Sequence, residues 1–159
     1  MKITILGVGT IKEKYFIDAI KEYSKRISKF SKVEFITVSD EPIPDNASEK
    51  EEEIIKNKEG EKILKAIPSN SYKVALDLHG QMLDSVELAN KISDIFTHGN
   101  SNIVFIIGGS LGLSKSVINV VDYKLCFSKM TFPHKLMQVI LLEQIYRAFK
   151  INNNETYHK

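Results

Sequence analysis

Two short segments hold the residues with the greatest scope for binding a small molecule. Gly108-Gly109-Ser110-Leu111-Gly112 follows the unbroken apolar run Ile103 to Ile107 and carries little side-chain bulk, so a flat ligand could come close to its amides. Phe127-Ser128-Lys129-Met130-Thr131-Phe132 leaves a second apolar run and leads into Pro133-His134. Both segments read as strand exits. Open parallel sheets bind ligands just beyond the carboxyl ends of their strands, so the two loops are candidates for one cofactor-sized site. At the end of the chain, Tyr157-His158-Lys159 places a stacking ring, a titratable imidazole and a cation side by side.

Other chemistries find little support. Gly7-Val8-Gly9 suggests a dinucleotide-binding turn, but Lys12 stands where the third glycine belongs, and Asp40 lies later than the usual acidic partner. Gly108 to Ser116 lacks the Gly-Lys-Ser/Thr of a P-loop. His79, His98, His134 and His158 are far apart and have no metal-ligand spacing, so no metal is expected. No serine occupies a nucleophile elbow, and Cys126 sits in an apolar strand without a sign of activation.

The elements that must position these residues follow from periodicity. Lys2 to Val8 reads as a strand, Glu13 to Lys29 as an amphipathic helix, and Val33 to Val38 as a second strand. Ser48, with Glu51 three residues on, predicts the start of a charged helix reaching Ala66. A third strand, Tyr72 to Leu78, exits at His79-Gly80, and Asp84 with Glu87 opens the next helix, which stops at Gly99-Asn100. Ile103 to Ile107 has no polar alternation and reads as a strand buried on both faces. A short helix at Ser114 to Val120, a strand Tyr123 to Phe127 and a helix from Pro133 to Ile151 complete the chain, with Thr131 as a candidate N-cap. Five strands alternating with five helices predict an α/β fold, a mostly parallel sheet flanked by helices, in one domain spanning 1–159.

The last helix carries more apolar surface than one sheet requires. Leu136, Met137, Val139, Ile140, Leu141, Leu142, Ile145, Tyr146, Ala148 and Phe149 exceed a stripe of about 100°, which predicts a homodimer built on this helix. The polar stretch Asn152 to Glu155 is expected to be flexible. A single cysteine among 159 residues excludes an internal disulfide and suits a cytoplasmic protein. No apolar run approaches the length of a membrane span. The formal charge of +2 hides an acidic segment, Asp40 to Glu61, with nine carboxylates against three lysines. The remainder is basic enough to suit a nucleic-acid partner without requiring one.

The ordered motifs say more together. The run Val104 to Gly112, Phe127 to His134, Leu142-Glu143-Gln144-Ile145-Tyr146-Arg147-Ala148 and the ending Tyr157-His158-Lys159 resemble a family of bacterial ribosomal RNA methyltransferases that modify pseudouridine. The opening Lys2 to Gly9 and Leu76-Asp77-Leu78-His79-Gly80 match as well, so the resemblance covers essentially the full length. That family belongs to the SPOUT class, whose fold carries a C-terminal trefoil knot. Thr10, Gln138 and Asn154 depart from the family pattern, which has lysine, arginine and glycine there.

The resemblance implies S-adenosylmethionine as methyl donor and the N3 nitrogen of a pseudouridine in large-subunit (23S) ribosomal RNA, within the ribosome, as acceptor. It implies that Leu76, Gly108, Phe127, Ser128, Lys129, Met130, Thr131 and Phe132 hold the cofactor. It also implies that the ending Tyr157-His158-Lys159 helps form the substrate site, across the dimer or within one chain. Residue chemistry suits His158, beside Tyr157, to catalysis by accepting the N3 proton directly or through water, Lys159 to binding substrate, and Arg147 to holding a phosphate of the substrate or the cofactor's carboxylate. On the residues alone, a nicotinamide- or other nucleotide-binding enzyme using Gly7 to Gly9, or a non-catalytic RNA-binding module, are the alternatives.

Overall fold

A computed structural model of the chain describes residues 1–159. In chain order the elements are β1 (Lys2–Val8), α1 (Lys14–Ile27), β2 (Lys32–Val38), α2 (Glu49–Ala66), β3 (Tyr72–Met82), α3 (Ser85–Thr97), β4 (Asn102–Ile107), α4 (Lys115–Ile118), β5 (Tyr123–Cys126) and α5 (His134–Asn152). The five strands form one sheet in the order β2-β1-β4-β3-β5, and every neighbouring pair is parallel.

β4 lies at the centre, and all six of its residues are buried. Its side chains alternate between two cores. Ile103, Phe105 and Ile107 join Ile3 and Ile5 under α1, α3 and α5, together with Ile27, Ile92, Leu141 and Ile145. Val104 and Ile106 join Leu6 and Val8 on the other face, against Ile63 of α2 and Val117 of α4. One buried polar pair ties the central strands, with Thr4 Oγ1 donating to Asn102 Oδ1 at 3.0 Å.

The helix starts are set locally. Ser48 Oγ accepts from the Glu51 N–H at 3.2 Å, and Asp84 and Glu87 form a reciprocal capping box. α2 can press against α4 because Gly60 has no side chain, since a Cβ there would stand 2.1 Å from Ser114 Oγ. α5 begins one residue later than the sequence suggests. Pro133 is its N-cap and no side chain caps it, so the Thr131 cap is not formed.

One further expectation is corrected. β3 does not end at Leu78 but continues to Met82 through a register shift between Leu76 and Gln81, leaving Asp77 to Gly80 bowed out of the β5 pairing. Gly80 makes the bow possible, because a Cβ there would lie 2.6 Å from the Lys124 carbonyl carbon. On α5, Leu141, Leu142, Ile145, Ala148 and Phe149 are packed inside the chain's own core. The apolar positions left half-buried are Leu136, Met137, Val139, Ile140 and Tyr146, a smaller surface than the full apolar pattern predicts.

Candidate active site

The bow of β3 and the exits of β4 and β5 converge on a cavity of about 710 Å³, inside the range of small-molecule sites. Leu76, Asp77 and Leu78 line it from the bow in β3, and Ile107 to Gly112 from the exit of β4. Leu125 to Ser128 and Met130 to Pro133 close it from the exit of β5, with His134 and Met137 of α5 completing the wall. Three apolar side chains at this site remain open to solvent, Leu78 at 57%, Met130 at 74% and Phe132 at 36%.

Seven of the eight residues expected to hold the cofactor therefore meet around one cavity: Leu76, Gly108, Phe127, Ser128, Met130, Thr131 and Phe132. Lys129 is exposed and does not line it. The loop after β5 is held by its own polar groups, as Met130 N–H donates to Ser128 Oγ at 3.0 Å and Cys126 Sγ donates to the Ser128 carbonyl at 3.2 Å.

Gly108 has a structural purpose besides its place at the cavity. Its φ is not in the left-handed region, which Gly9, Gly99 and Gly112 adopt. A Cβ on Gly108 would lie 2.8 Å from the Gly112 carbonyl carbon and 3.1 Å from Leu113 Cδ2. The glycine lets the loop fold back on itself, with Gly112 N–H donating to the Gly109 carbonyl at 3.0 Å.

A second cavity of about 360 Å³ shares Gly109, Ser110 and His134 with the first. Lys12, Asp40, Glu41, Glu59 and Lys135 make it polar, and Val8 and Gly9 place the exit of β1 there. Glu59 is only 4% exposed and accepts from the Glu41 N–H at 3.0 Å. Burial, then the neighbouring Lys135, pushes the His134 pKa below its ordinary value. Lys135 itself donates to both oxygens of Glu13, at 3.0 and 3.1 Å, joining the starts of α1 and α5.

The remaining expected site residues, Arg147, Tyr157, His158 and Lys159, lie elsewhere, since no residue beyond Met137 lines the first cavity. Arg147 pairs with Glu143 one helical turn away. The Tyr157 hydroxyl donates to Glu143 Oε1 at 3.0 Å, and its ring packs edge-on against Tyr146 with centroids 4.9 Å apart. The Arg147 guanidinium lies 4.8 Å from the Tyr157 ring centroid, and its Nη1 is 3.3 Å from His158 Nδ1. Lys159 is exposed.

The connection to this tail is tied down, contrary to the flexible segment expected. Asn152 donates to the Ala89 carbonyl at 2.9 Å, Asn153 Nδ2 to the Phe149 carbonyl at 2.8 Å, and Lys150 pairs with Glu155. Asn154 turns with φ +54°, a left-handed conformation that asparagine tolerates and glycine adopts freely. The related family's glycine at this position has a physical reason.

Sequence reasoning missed Asp77, Leu78, His134, Met137 and Glu143. Glu143 had a signal, an acidic residue four positions before Arg147 on a helix. For Asp77 and Leu78 the signal was their place beside Leu76 at the predicted strand exit, and the bow in β3 is where they meet the cavity. No three histidine, cysteine, aspartate or glutamate side chains gather as a metal site, and no helix is long and apolar enough to cross a membrane.

Comparisons with known proteins agree with this architecture. A family model described as "Predicted SPOUT methyltransferase" matches residues 1–158. The chain is 61% identical over 159 residues to ribosomal RNA large subunit methyltransferase H of Clostridium novyi, and 58% identical to the protein of the same name in Clostridium botulinum. Both alignments cover all of each chain. Among solved structures, the tRNA (m1G37) methyltransferase of Aquifex aeolicus superposes with a TM-score of 0.55 at 13% identity, covering 92% of this chain and 70% of that one. A probable methylase family protein from Haemophilus influenzae gives 0.54 at 15% identity, covering 99% and 70%. The two structures share the fold. From the full-length sequence matches, the chain belongs to the SPOUT methyltransferase family, in its ribosomal RNA large subunit methyltransferase H branch.

Proposed function

We propose that this protein transfers a methyl group from S-adenosylmethionine to the N3 nitrogen of a pseudouridine in 23S ribosomal RNA, acting on the assembled ribosome. The observation that carries the reading is the meeting of the Gly108–Gly112 loop and the Phe127–Phe132 loop around one cavity, in a chain whose full-length relatives are named for large-subunit ribosomal RNA.

The cavity's chemistry fits the donor. Leu76, Leu125 and Phe127 give apolar surface for a flat heteroaromatic ring, while the loops after β4 and β5 supply backbone amides and carbonyls. Met130, Thr131 and Phe132 form part of its wall, and Lys129 belongs to the same turn through the backbone that Ser128 Oγ holds. The segment after β5 forms the trefoil knot of the SPOUT class. When bound, S-adenosylmethionine supplies a methyl group already activated by its sulfonium charge. The protein's contribution is then mainly orientation, holding the acceptor nitrogen in line with the methyl carbon.

The acceptor base meets the tail. Tyr157 and His158 form its catalytic surface, and Arg147 and Lys159 add positive charge toward the RNA. The tail lies apart from its own chain's cavity, and the half-buried apolar positions Leu136, Val139 and Ile140 on α5 make a surface for a second copy. In the homodimer the tail of one protomer serves the cavity of the other. A ribosomal substrate places the enzyme in the cytoplasm.

The test is methylation of ribosomes from a strain lacking this gene, with the product mapped on 23S RNA. The expected result is one new methyl group on a pseudouridine. Deleting Tyr157 to Lys159 should leave donor binding by calorimetry unchanged while lowering transfer by about 10²-fold, the loss associated with a catalytic polar group. Transfer at the wild-type rate by the truncated enzyme would remove the tail from the mechanism.

A further inference from the structure

Glu143 and Arg147 stand one turn apart on α5, a spacing at which side chains face each other. The Glu143 side chain is 18% exposed, and four donors converge on its two oxygens. Arg147 donates from Nη2 to Oε1 and from Nε to Oε2, the latter at 3.4 Å. The Tyr157 hydroxyl donates to Oε1 at 3.0 Å and Gln144 Nε2 to Oε2 at 2.8 Å. Burial, with this hydrogen bond, raises the Tyr157 pKa above its ordinary value, so the hydroxyl keeps its proton.

With the carboxylate occupied, the guanidinium has one arm left, and Nη1 lies 3.3 Å from His158 Nδ1. A guanidinium only donates, so the contact requires Nδ1 to accept. In the neutral imidazole the proton then sits on Nε2, at the ring edge away from Arg147. His158 is exposed, and that edge is available to a ligand.

We infer that Glu143 is a positioning residue, which holds Arg147 and Tyr157 so that His158 meets the acceptor base as an Nε2–H donor and not as a proton acceptor. This rests on the reading that the tail meets the pseudouridine. As N3–H is lost, negative charge spreads onto the two carbonyl oxygens flanking N3, and a fixed donor at one of them stabilises it. The proton passes to water. The N3 electron pair forms the new N–C bond, the methyl–sulfur bond breaks with its electrons returning to sulfur, and the sulfonium becomes a neutral thioether. Arg147 thereby also positions His158, with Glu143 offsetting part of its charge.

Two measurements test this. Two-bond proton–nitrogen correlation NMR on the full-length enzyme, labelled with ¹⁵N-histidine, should show the Nε2–H tautomer at His158, with Glu143→Gln shifting it toward a mixture. In methylation of ribosomes, His158→Ala should lose about 10²-fold in kcat, as for removal of one oxyanion donor. His158→Gln, whose amide N–H can replace Nε2–H, should recover roughly tenfold of that loss, while Glu143→Gln should lower kcat and leave the KM for S-adenosylmethionine unchanged. A dominant Nδ1–H tautomer, or a glutamine variant no better than alanine, would overturn the donor role and leave the tail at the acceptor site. Full activity in His158→Ala would instead refute the reading of the tail itself, and this inference with it.

Discussion

A valine at position 108 would put its Cβ 2.8 Å from the Gly112 backbone, closer than real Cβ atoms come. Gly108→Val is therefore expected to damage the loop before it obstructs any ligand, destabilising the protein by about 1–3 kcal/mol, the usual cost of overpacking. Urea denaturation should show the loss alongside weakened donor binding, and wild-type stability would contradict the account of loop closure. His134 carries a prediction of its own. Its folded pKa is depressed from the ordinary 6.5, chiefly by burial, so the unfolded chain takes up the proton first. Stability should be fully present above the ordinary imidazole value and fall as pH drops below it, until the folded pKa is passed. His134→Gln should flatten that part of the melting-temperature profile. If the variant loses stability between neutral pH and pH about 5 as steeply as the wild type, other groups control the acid limb.

At the scale of elements, α5 separates stability from assembly. Leu141 is wholly inside the protomer, whereas Ile140, its neighbour, is half-buried on the face proposed above to meet a second copy. A buried lysine without a partner costs several kcal/mol, so Leu141→Lys should unfold the chain. Ile140→Lys should preserve the circular dichroism spectrum and yield monomers in sedimentation. A folded, dimeric Ile140→Lys protein would move the interface away from this face. α2 offers a simpler case, because its start rests on Ser48 accepting from the Glu51 N–H. Ser48→Ala should cost about 1 kcal/mol in chemical denaturation, as N-cap losses do.

Across the whole molecule, charge is divided rather than pooled. The nine carboxylates of Asp40 to Glu61 offset much of the basic surface and leave a formal net charge of only +2. A protein of this balance has little capacity to hold naked RNA through phosphates alone, since each neutralised phosphate adds to the salt dependence of binding. Recognition of a folded ribosomal surface should thus show a shallow log–log salt slope, smaller in magnitude than about 4. Protein-free 23S RNA should be methylated at least about tenfold more slowly than ribosomes at physiological salt. Equal rates on both substrates would show that the RNA by itself contains the whole recognition surface.

What could be read without coordinates was whatever depends on local spacing. The unbroken apolar run of β4 predicts burial on both faces, Ser48 and Asp84 predict their helix starts, and glycine after Ile107 marks the loop at the candidate site. Full-length motif order adds the family. Local spacing does not say which distant backbone an element will meet. The bow at Asp77 to Gly80 exists because β3 pairs with β5 on both sides of a register shift, and Gly80 tolerates the close approach of Lys124. The sequence of α5 shows a wide apolar surface, but only packing against α1 and α3 assigns Leu141 and Ile145 to the core and leaves Val139 and Ile140 near solvent. In the tail, Tyr157 lies 14 residues beyond Glu143 and His158 lies 11 beyond Arg147, too far along the chain for helical spacing to link them. A helix period determines which residues share a face, whereas the chain folding back over that face decides what they hold.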